Sequence, residues 1–437
     1  MSSSALPSVP LLSGGALADP TSAAAPSWGT PQRGLLFFIA LAAVGGGMAQ
    51  LVPAVLTLSI KANAIDPAHA TTVLSIASAI GAAFSIVALP AFGRISDRSL
   101  SRFGRRRPLL VTSAILMALG AVLTLLATST LVLTIASTLT MVGFSAGAVA
   151  VTAIIPDQLA PTSRGPASAI VGLSLPLGAV LGLFIAQAVS GMLAAMILLP
   201  ASVGVLGALV LAIVLHDRRQ NAADRSPFGV TAFFSTFWVS PLTHPSFASA
   251  WISRILIFFG VGCVQAYQAF YLLLVLHFSV AEVPGAIFLS ILVLTGTALV
   301  FAPIAAKISD RVKRRKPFVV AAAVIFATGL ILVATATSYP SFLLAMAVVG
   351  FGQGIYFAVD LALITQILPD PQNPAKDLGI MNLATVLPAA VVPAIAPAVL
   401  AIGASAATPQ NFPALFILGA VAGLVGAAFI LPIKGVR

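Results

Sequence analysis

Charge and cysteine are what this sequence has least of. Only 8% of its residues are charged, against roughly 25% in a soluble domain, so water is not its main solvent. Cys263 is the single cysteine, which excludes an intrachain disulfide framework and a thiolate metal site. Four scattered histidines give no ligand spacing. No phosphate-binding glycine loop and no hydrolytic triad is recognisable, so neither a nucleotide-driven pump nor an enzyme is expected, and no cofactor. Residues 1–32 carry no basic start ahead of an apolar core, as a secretory signal requires. Rich in Ser, Ala, Pro and Gly, they read as a disordered cytoplasmic tail.

What is abundant is apolar: 59% of the residues, with a mean hydropathy of +1.09. A hydrocarbon core about 30 Å thick needs about 20 apolar residues of helix. Twelve runs meet that criterion, at 35–60, 70–94, 108–128, 131–155, 166–190, 194–215, 250–276, 284–306, 317–336, 341–368, 378–401 and 413–433. The expected fold is therefore an all-α membrane protein of twelve transmembrane helices in two pseudo-symmetric six-helix bundles, 33–215 and 250–437, joined by a cytoplasmic loop over 216–249. Within that loop, Phe228 to Trp238 reads as a short amphipathic helix on the inner leaflet. Pro53, Pro176, Pro388 and Pro393 predict interruptions in the first, fifth and eleventh helices.

The 22 basic residues outnumber the 11 acidic ones, which in a soluble chain would suggest nucleic acid. Their placement gives another reason. With the N-terminus in the cytoplasm, Arg94, Arg98, Arg102, Arg105, Arg106 and Arg107 fall in one inner loop and Lys307, Arg311, Lys313, Arg314, Arg315 and Lys316 in another. The remaining basic residues, Arg254 among them, fall on the same side, and Lys61 alone falls outside. The charge is thus topological, following the positive-inside rule. Both termini are expected in the cytoplasm of a protein of the cell membrane, with no nucleic-acid partner.

The two basic clusters are copies of one pattern. Gly93-Arg94-Ile95-Ser96-Asp97-Arg98 is matched by Ala306-Lys307-Ile308-Ser309-Asp310-Arg311, and Arg105-Arg106-Arg107-Pro108 by Arg314-Arg315-Lys316-Pro317. The chain is a duplicated six-helix unit, the arrangement expected of a transporter with its site between the halves. Asp97 and Asp310, beside Arg98 and Arg311, read in two ways. They are solvated salt bridges worth about 0–1 kcal/mol, or latches that meet helix N-termini of the opposite half in one conformation and lose them in the other. Gly93 would permit the close approach, and Arg105 belongs to the same gating set.

Asp360 is the one acid well inside a predicted span, about 12 Å deep at 1.5 Å per residue. An ionisable group there is functional by default, and it is the candidate proton carrier. Gln353, Tyr356 and Asp360 share one helical face, which reads as cavity lining or as a polar clasp between helices. Asp157 and Arg164 form a second candidate relay, or an ordinary interfacial ion pair. Gln265, Tyr267, Gln268 and Tyr271 in the seventh helix, with Gln50 and Asn382, suit a polyhydroxylated solute, because amides bond hydroxyls in two directions and aromatic faces pack on sugar rings. The tyrosines alternatively belong to an interfacial aromatic belt.

The two basic loops resemble the signature of the major facilitator superfamily, and the resemblance covers nearly the whole chain. More narrowly, Ser96-Asp97-Arg98 followed by Ser101-Arg102-Phe103-Gly104-Arg105-Arg106-Arg107-Pro108 is similar to the loop of the sucrose-proton symporters, among the glycoside-pentoside-hexuronide cation symporters, and their bacterial relatives. Leu378-Gly379-Ile380-Met381-Asn382-Leu383-Ala384-Thr385-Val386-Leu387-Pro388 is similar to the start of that family's eleventh helix, and Ala153-Ile154-Ile155-Pro156-Asp157 to its carboxylate-bearing segment. The resemblance implies a monomeric secondary transporter working by alternating access, with a proton as coupling ion, Asp157 coupling it, and a disaccharide or related glycoside as solute. His69 only approximates the family's external histidine, and Asp360 departs from its pattern. Two other readings stay open: a proton-coupled exporter of amphiphilic compounds and a non-transporting membrane receptor.

Overall fold

The computed structural model describes residues 34–159, 161–217, 242–312, 314–364, 366–369, 374–404 and 409–433. Twelve helices in it are long and apolar enough to cross a bilayer, and no strand occurs among the described residues. The first half holds α1 (Leu35–Ile65), α2 (Ala70–Asp97), α3 (Arg107–Leu126), α4 (Thr130–Gln158), α5 (Pro161–Ala188) and α6 (Leu193–Val214). The second holds α7 (Pro245–Leu274), α8 (Val283–Val312), α9 (Lys316–Ala334), α10 (Tyr339–Ile364), an eleventh span in two pieces, α11 (Pro374–Val386) and α12 (Pro388–Leu400), and α13 (Phe412–Ile430). The tail over 1–32 and the aromatic segment Phe228 to Trp238 lie outside the described residues.

Proline places the irregularities. Pro53 has no N–H to give and its ring crowds the carbonyl one turn back; α1 absorbs this as a π-helical turn over Pro53–Thr57. Leu387 separates α11 from α12 just before Pro388. The expected break at Pro176 is absent: α5 runs through both Pro166 and Pro176 as one helix. A lost hydrogen bond within a span is tolerated where neighbouring helices surround it.

Between helices in lipid there is little hydrophobic drive, so close packing of small residues holds the bundle. At the crossing of α1 and α6, a Cβ on Gly45 would stand 2.7 Å from the Val203 carbonyl oxygen, and one on Gly204 would stand 2.6 Å from that of Gly45. Gly45→Val should cost about 1–3 kcal/mol by overpacking. It is expected to lower the melting temperature of the purified protein, and an unchanged melt would contradict this crossing.

The halves meet chiefly at the end away from the basic loops. There Ser75 Oγ lies 2.6 Å from the Tyr267 hydroxyl, Gln410 Nε2 donates to Thr71 Oγ1 at 3.0 Å, and Phe184 tilts against Phe288 with centroids 5.6 Å apart. The principal contacts of the first half with the second are made by α2 on α12, α5 on α8 and the π turn of α1 on α7. The helix pieces nearer the basic loops separate: α2 touches α12 extensively and α11 hardly at all. The molecule is therefore closed at the far end and open at the basic end.

Tyr267→Phe removes one side of the buried Ser75 contact, a hydrogen bond worth about 1 kcal/mol net. The far end should open more often. Ser78, buried one turn along α2 from Ser75, is the reporter position: in a Ser78→Cys background, Tyr267→Phe should speed labelling by a maleimide several-fold. Cys263, fully buried, is expected to stay silent.

Candidate functional site

At the basic end, the two copies of the sequence pattern fold into the same device. Ser96 Oγ donates to the Arg105 carbonyl at 3.1 Å, and Ser309 Oγ to the Arg314 carbonyl at 3.5 Å. Asp97 pairs with Arg105 at 3.0 Å and Arg106 at 2.9 Å, and Asp310 pairs with Arg315 at 3.6 Å. Arg107 Nε donates to the Leu215 carbonyl at 2.7 Å, while Lys316 reaches the carbonyls of Leu431 and Ile433. Each half thus closes its last helix with a cation from the start of its third, and that cation meets the carbonyl-rich, partly negative helix end.

The first copy carries more. Arg106, only 6% exposed, holds Asp97 and, through Nε at 2.8 Å, Asp157; it also donates to Ser96 Oγ at 2.6 Å. The Asp217 carboxylate accepts from the backbone N–H groups of Arg106 and Arg107 and so caps α3. Its side chain occupies the space a Cβ on Gly104 would need, and Gly104 itself sits at φ +102°, where only glycine is unstrained.

Several expectations change here. Asp157 pairs with Arg106 and not with Arg164, which donates instead to the carbonyls of Pro156 and Leu159, each at 3.1 Å. Arg164, in the first turn of α5, reaches back onto the end of α4. Asp97 and Asp310 find their partners across their own loops, so Arg98 and Arg311 are not the ones that hold them. Nothing would lie within 4 Å of a Cβ on Gly93: with the basic end open, no opposing helix comes near.

Within the membrane the central feature is an ion pair. Arg254 of α7 donates from Nη1 to Asp360 Oδ2 of α10 at 2.7 Å and from Nε to Thr385 Oγ1 of α11 at 3.0 Å. The two side chains are 15% and 13% exposed. Tyr356 lies one turn before Asp360 on α10, and the Arg254 guanidinium lies 5.6 Å over the Phe258 ring. Asp360 is therefore no isolated acid: its charge is matched, which a buried carboxylate requires. Arg254, counted among the cations of the cytoplasmic side, is a residue of α7 that pairs within the span.

The pair ties three spans of the second half, α7, α10 and α11, to one another. Arg254, Phe258, Val261, Gln265 and Gln268 fall on one face of α7. Phe258 and Val261 also line a small apolar cavity with Gln353 and Tyr356. Asn382, one turn before Thr385, is exposed. Gln268 is fully buried with neither amide atom paired, and the Oε1 atoms of Gln50 and Gln353 are likewise buried without a hydrogen-bond partner.

Two expected solute contacts fall elsewhere. Tyr271 donates to the Ala336 carbonyl at 2.5 Å and packs among Phe342, Phe412 and Phe416, inside the second half. Tyr267 belongs to the far-end seal with Ser75. The helical face that Tyr267 and Tyr271 share in sequence thus leads one to the opposite half and the other into the core of its own. His69 stands at the N-cap position of α2 at the far end, where its side chain turns to Asp66 instead of to the helix, and that hydrogen bond holds the Asp66 carboxyl below its ordinary value.

Arg106, Asp217 and Arg254 carry this geometry and were not singled out from the sequence. Arg254 had a signal, being the lone arginine inside the predicted span 250–276. Among the described residues no cluster of ligating side chains would hold a metal.

No curated protein is close enough in sequence to count as a relative. Solved structures share the architecture. A bacterial homolog of the human lysosomal transporter Spinster, inward-facing and occupied, matches with a TM-score of 0.72 at 14% identity over 94% of this chain and 98% of that one. The nucleoside transporter NupG matches with 0.72 at 11% identity over 92% and 100%. A D-xylose-proton symporter matches with 0.70 at 17% identity over 93% and 98%. The family model described as Major Facilitator Superfamily matches residues 36–301 and 291–436. With its twelve apolar helices, its opening between two halves and this match along nearly its whole length, the chain belongs to the Major Facilitator Superfamily and is a multi-pass membrane transporter of small solutes, not an enzyme.

Proposed function

We propose that the chain couples the movement of a sugar or glycoside to that of a proton, as a symporter of the cell membrane with its basic end in the cytoplasm. The observation that carries this is the Arg254–Asp360 pair, a matched pair of charges joining α7 to α10 within the membrane-spanning region, with Arg254 also bonded to Thr385 of α11. A carboxylate that exchanges a proton for its arginine partner changes what the neighbouring side chains can bind, and so links occupancy to conformation. The unpaired Gln268 amide and the unpaired amide oxygens of Gln50 and Gln353, with exposed Asn382, offer donors and acceptors that suit hydroxyls. Asp157, bound to Arg106 at the basic end, serves the gate in this reading.

The positive-inside bias supports the orientation, and the resemblance of the basic loop to the sucrose-proton symporters supports the solute class. The test is uptake of labelled sucrose or maltose into proteoliposomes, with and without an imposed proton gradient, alongside a pH-sensitive dye. Accumulation that needs the gradient and acidifies the lumen is expected. Gradient-driven movement of amphiphilic cations, with no sugar transport, would replace this reading with export.

A further inference from the structure

Two grooves on the outer surface of the bundle occupy matching positions in the two halves, and neither belongs to the path between them. In the first half a groove of about 640 Å³ is bounded by Ser101, Phe103, Arg107, Val111, Leu209 and Ile213. In the second a groove of about 520 Å³ is bounded by Lys316, Val320, Val324, Ile325 and Leu431, among others. Each runs between the start of its half's third span and the end of its last. Each is headed by the cation of the repeated Arg107-Pro108 or Lys316-Pro317 step and continues as an apolar trough.

We propose that each groove seats one anionic phospholipid of the leaflet at the basic end. The trough takes an acyl chain, and the cation at its head takes the phosphate. The inference needs only that the chain lies in a bilayer, so it stands or falls separately from the solute and its coupling.

Position decides the class of occupant. Both grooves lie at helix ends on the perimeter, where Ile213 is 76% exposed, Phe103 58% and Val324 47%. For a protein of twelve membrane spans, that perimeter is covered by lipid. Charge decides the kind of lipid. Arg107 and Lys316 are held by carbonyls, which are uncharged acceptors, so each keeps its full positive charge at the depth of a headgroup. In the first half the Arg102 guanidinium also lies 4.7 Å over the Phe103 ring at the mouth of the groove. Basic side chains beside the polar headgroup layer favour anionic over neutral lipids. Ser101 adds a hydroxyl that can donate to a phosphate oxygen.

The experiment is native mass spectrometry of the full-length protein purified from detergent with equimolar dioleoyl phosphatidylglycerol and dioleoyl phosphatidylcholine. Two phosphatidylglycerol molecules should be retained preferentially. Val111→Trp and Val324→Trp, which fill one trough each and leave every cation in place, should each lose one retained lipid, and the double variant both. Equal retention of the two lipids, or unchanged counts in the filled variants, overturns the proposal. A second measurement needs no variant. A phosphatidylglycerol with a photoactivatable acyl chain should label wild-type peptides from α3, α6, α9 and α13 at their basic ends; labelling spread evenly around the perimeter overturns it as well.

Discussion

Asp360→Asn is expected to abolish coupled transport and to destabilise the protein, whereas combining it with Arg254→Gln should restore stability without restoring coupling. The reason is the asymmetry of a buried ion pair. Keeping both charges costs little net stability, but removing one leaves the other desolvated and unmatched, at about 3–5 kcal/mol. Arg254 is 15% exposed and its other hydrogen-bond partner among the described residues is the uncharged Thr385 hydroxyl, which cannot replace the lost carboxylate. At 1.4 kcal/mol per tenfold, such a penalty would lower the folding equilibrium constant by roughly two to three and a half orders of magnitude. Thermal melts of the purified single and double variants measure the structural part, and dye-monitored proton movement in proteoliposomes measures the coupling. A single variant that melts like the wild type would show the pair to be dispensable for folding. A double variant that still moves protons with solute would remove Asp360 from the coupling step.

Arg106→Gln should be the second severe change, through a different route. Arg106 holds two carboxylates, Asp97 and Asp157, that come from the ends of α2 and α4. Its own backbone N–H is capped by Asp217 from the end of α6. Three helix ends of the first half are therefore tied at one residue that is 6% exposed. Neutralising it takes the shared cation from two acids that are 56% and 30% exposed, and the expected loss is about 1.5–3 kcal/mol. Asp97→Asn provides the contrast. Asp97 is 56% exposed, and pairs at such sites contribute about 0–1 kcal/mol, so the folded protein should survive. Uptake should nonetheless fall at least tenfold, because the carboxylate is at the opening that must close during the cycle. Membrane abundance by fluorescence-detected size exclusion, read beside initial uptake rates, separates the two. Wild-type uptake by Asp97→Asn would mean that the loop acid does no gating.

The expected spans agree with the observed ones to within a few residues at most ends, and the pieces that differ are instructive. α8 continues to Val312, beyond the expected 306, because Lys307, Asp310 and Arg311 extend the helix past the apolar stretch into polar surroundings. α10 ends at Ile364 instead of 368. The duplication was equally legible. Its two copies turned out to share contacts as well as letters, down to the cation that grips the last helix of each half.

Partner choice was less legible. Asp157 and Arg164 looked like a pair because they are near in sequence, yet Asp157 meets Arg106, 51 residues away. Asp360 looked solitary because its arginine is 106 residues away. Tyr267 and Tyr271 share a helical face on paper, but one meets the opposite half and the other a core of phenylalanines.

Length, hydropathy and the sidedness of charge could be read from the order of residues because a bilayer imposes a one-dimensional rule: a span of about 20 apolar residues, with cations left at the ends. Which charges neutralise one another, and which end of the molecule is shut, were decided only when the helices packed. In a medium that cannot solvate them, charged groups must find partners wherever the neighbouring helices bring them. That depends on the rotation and depth of each helix, which the linear pattern leaves open.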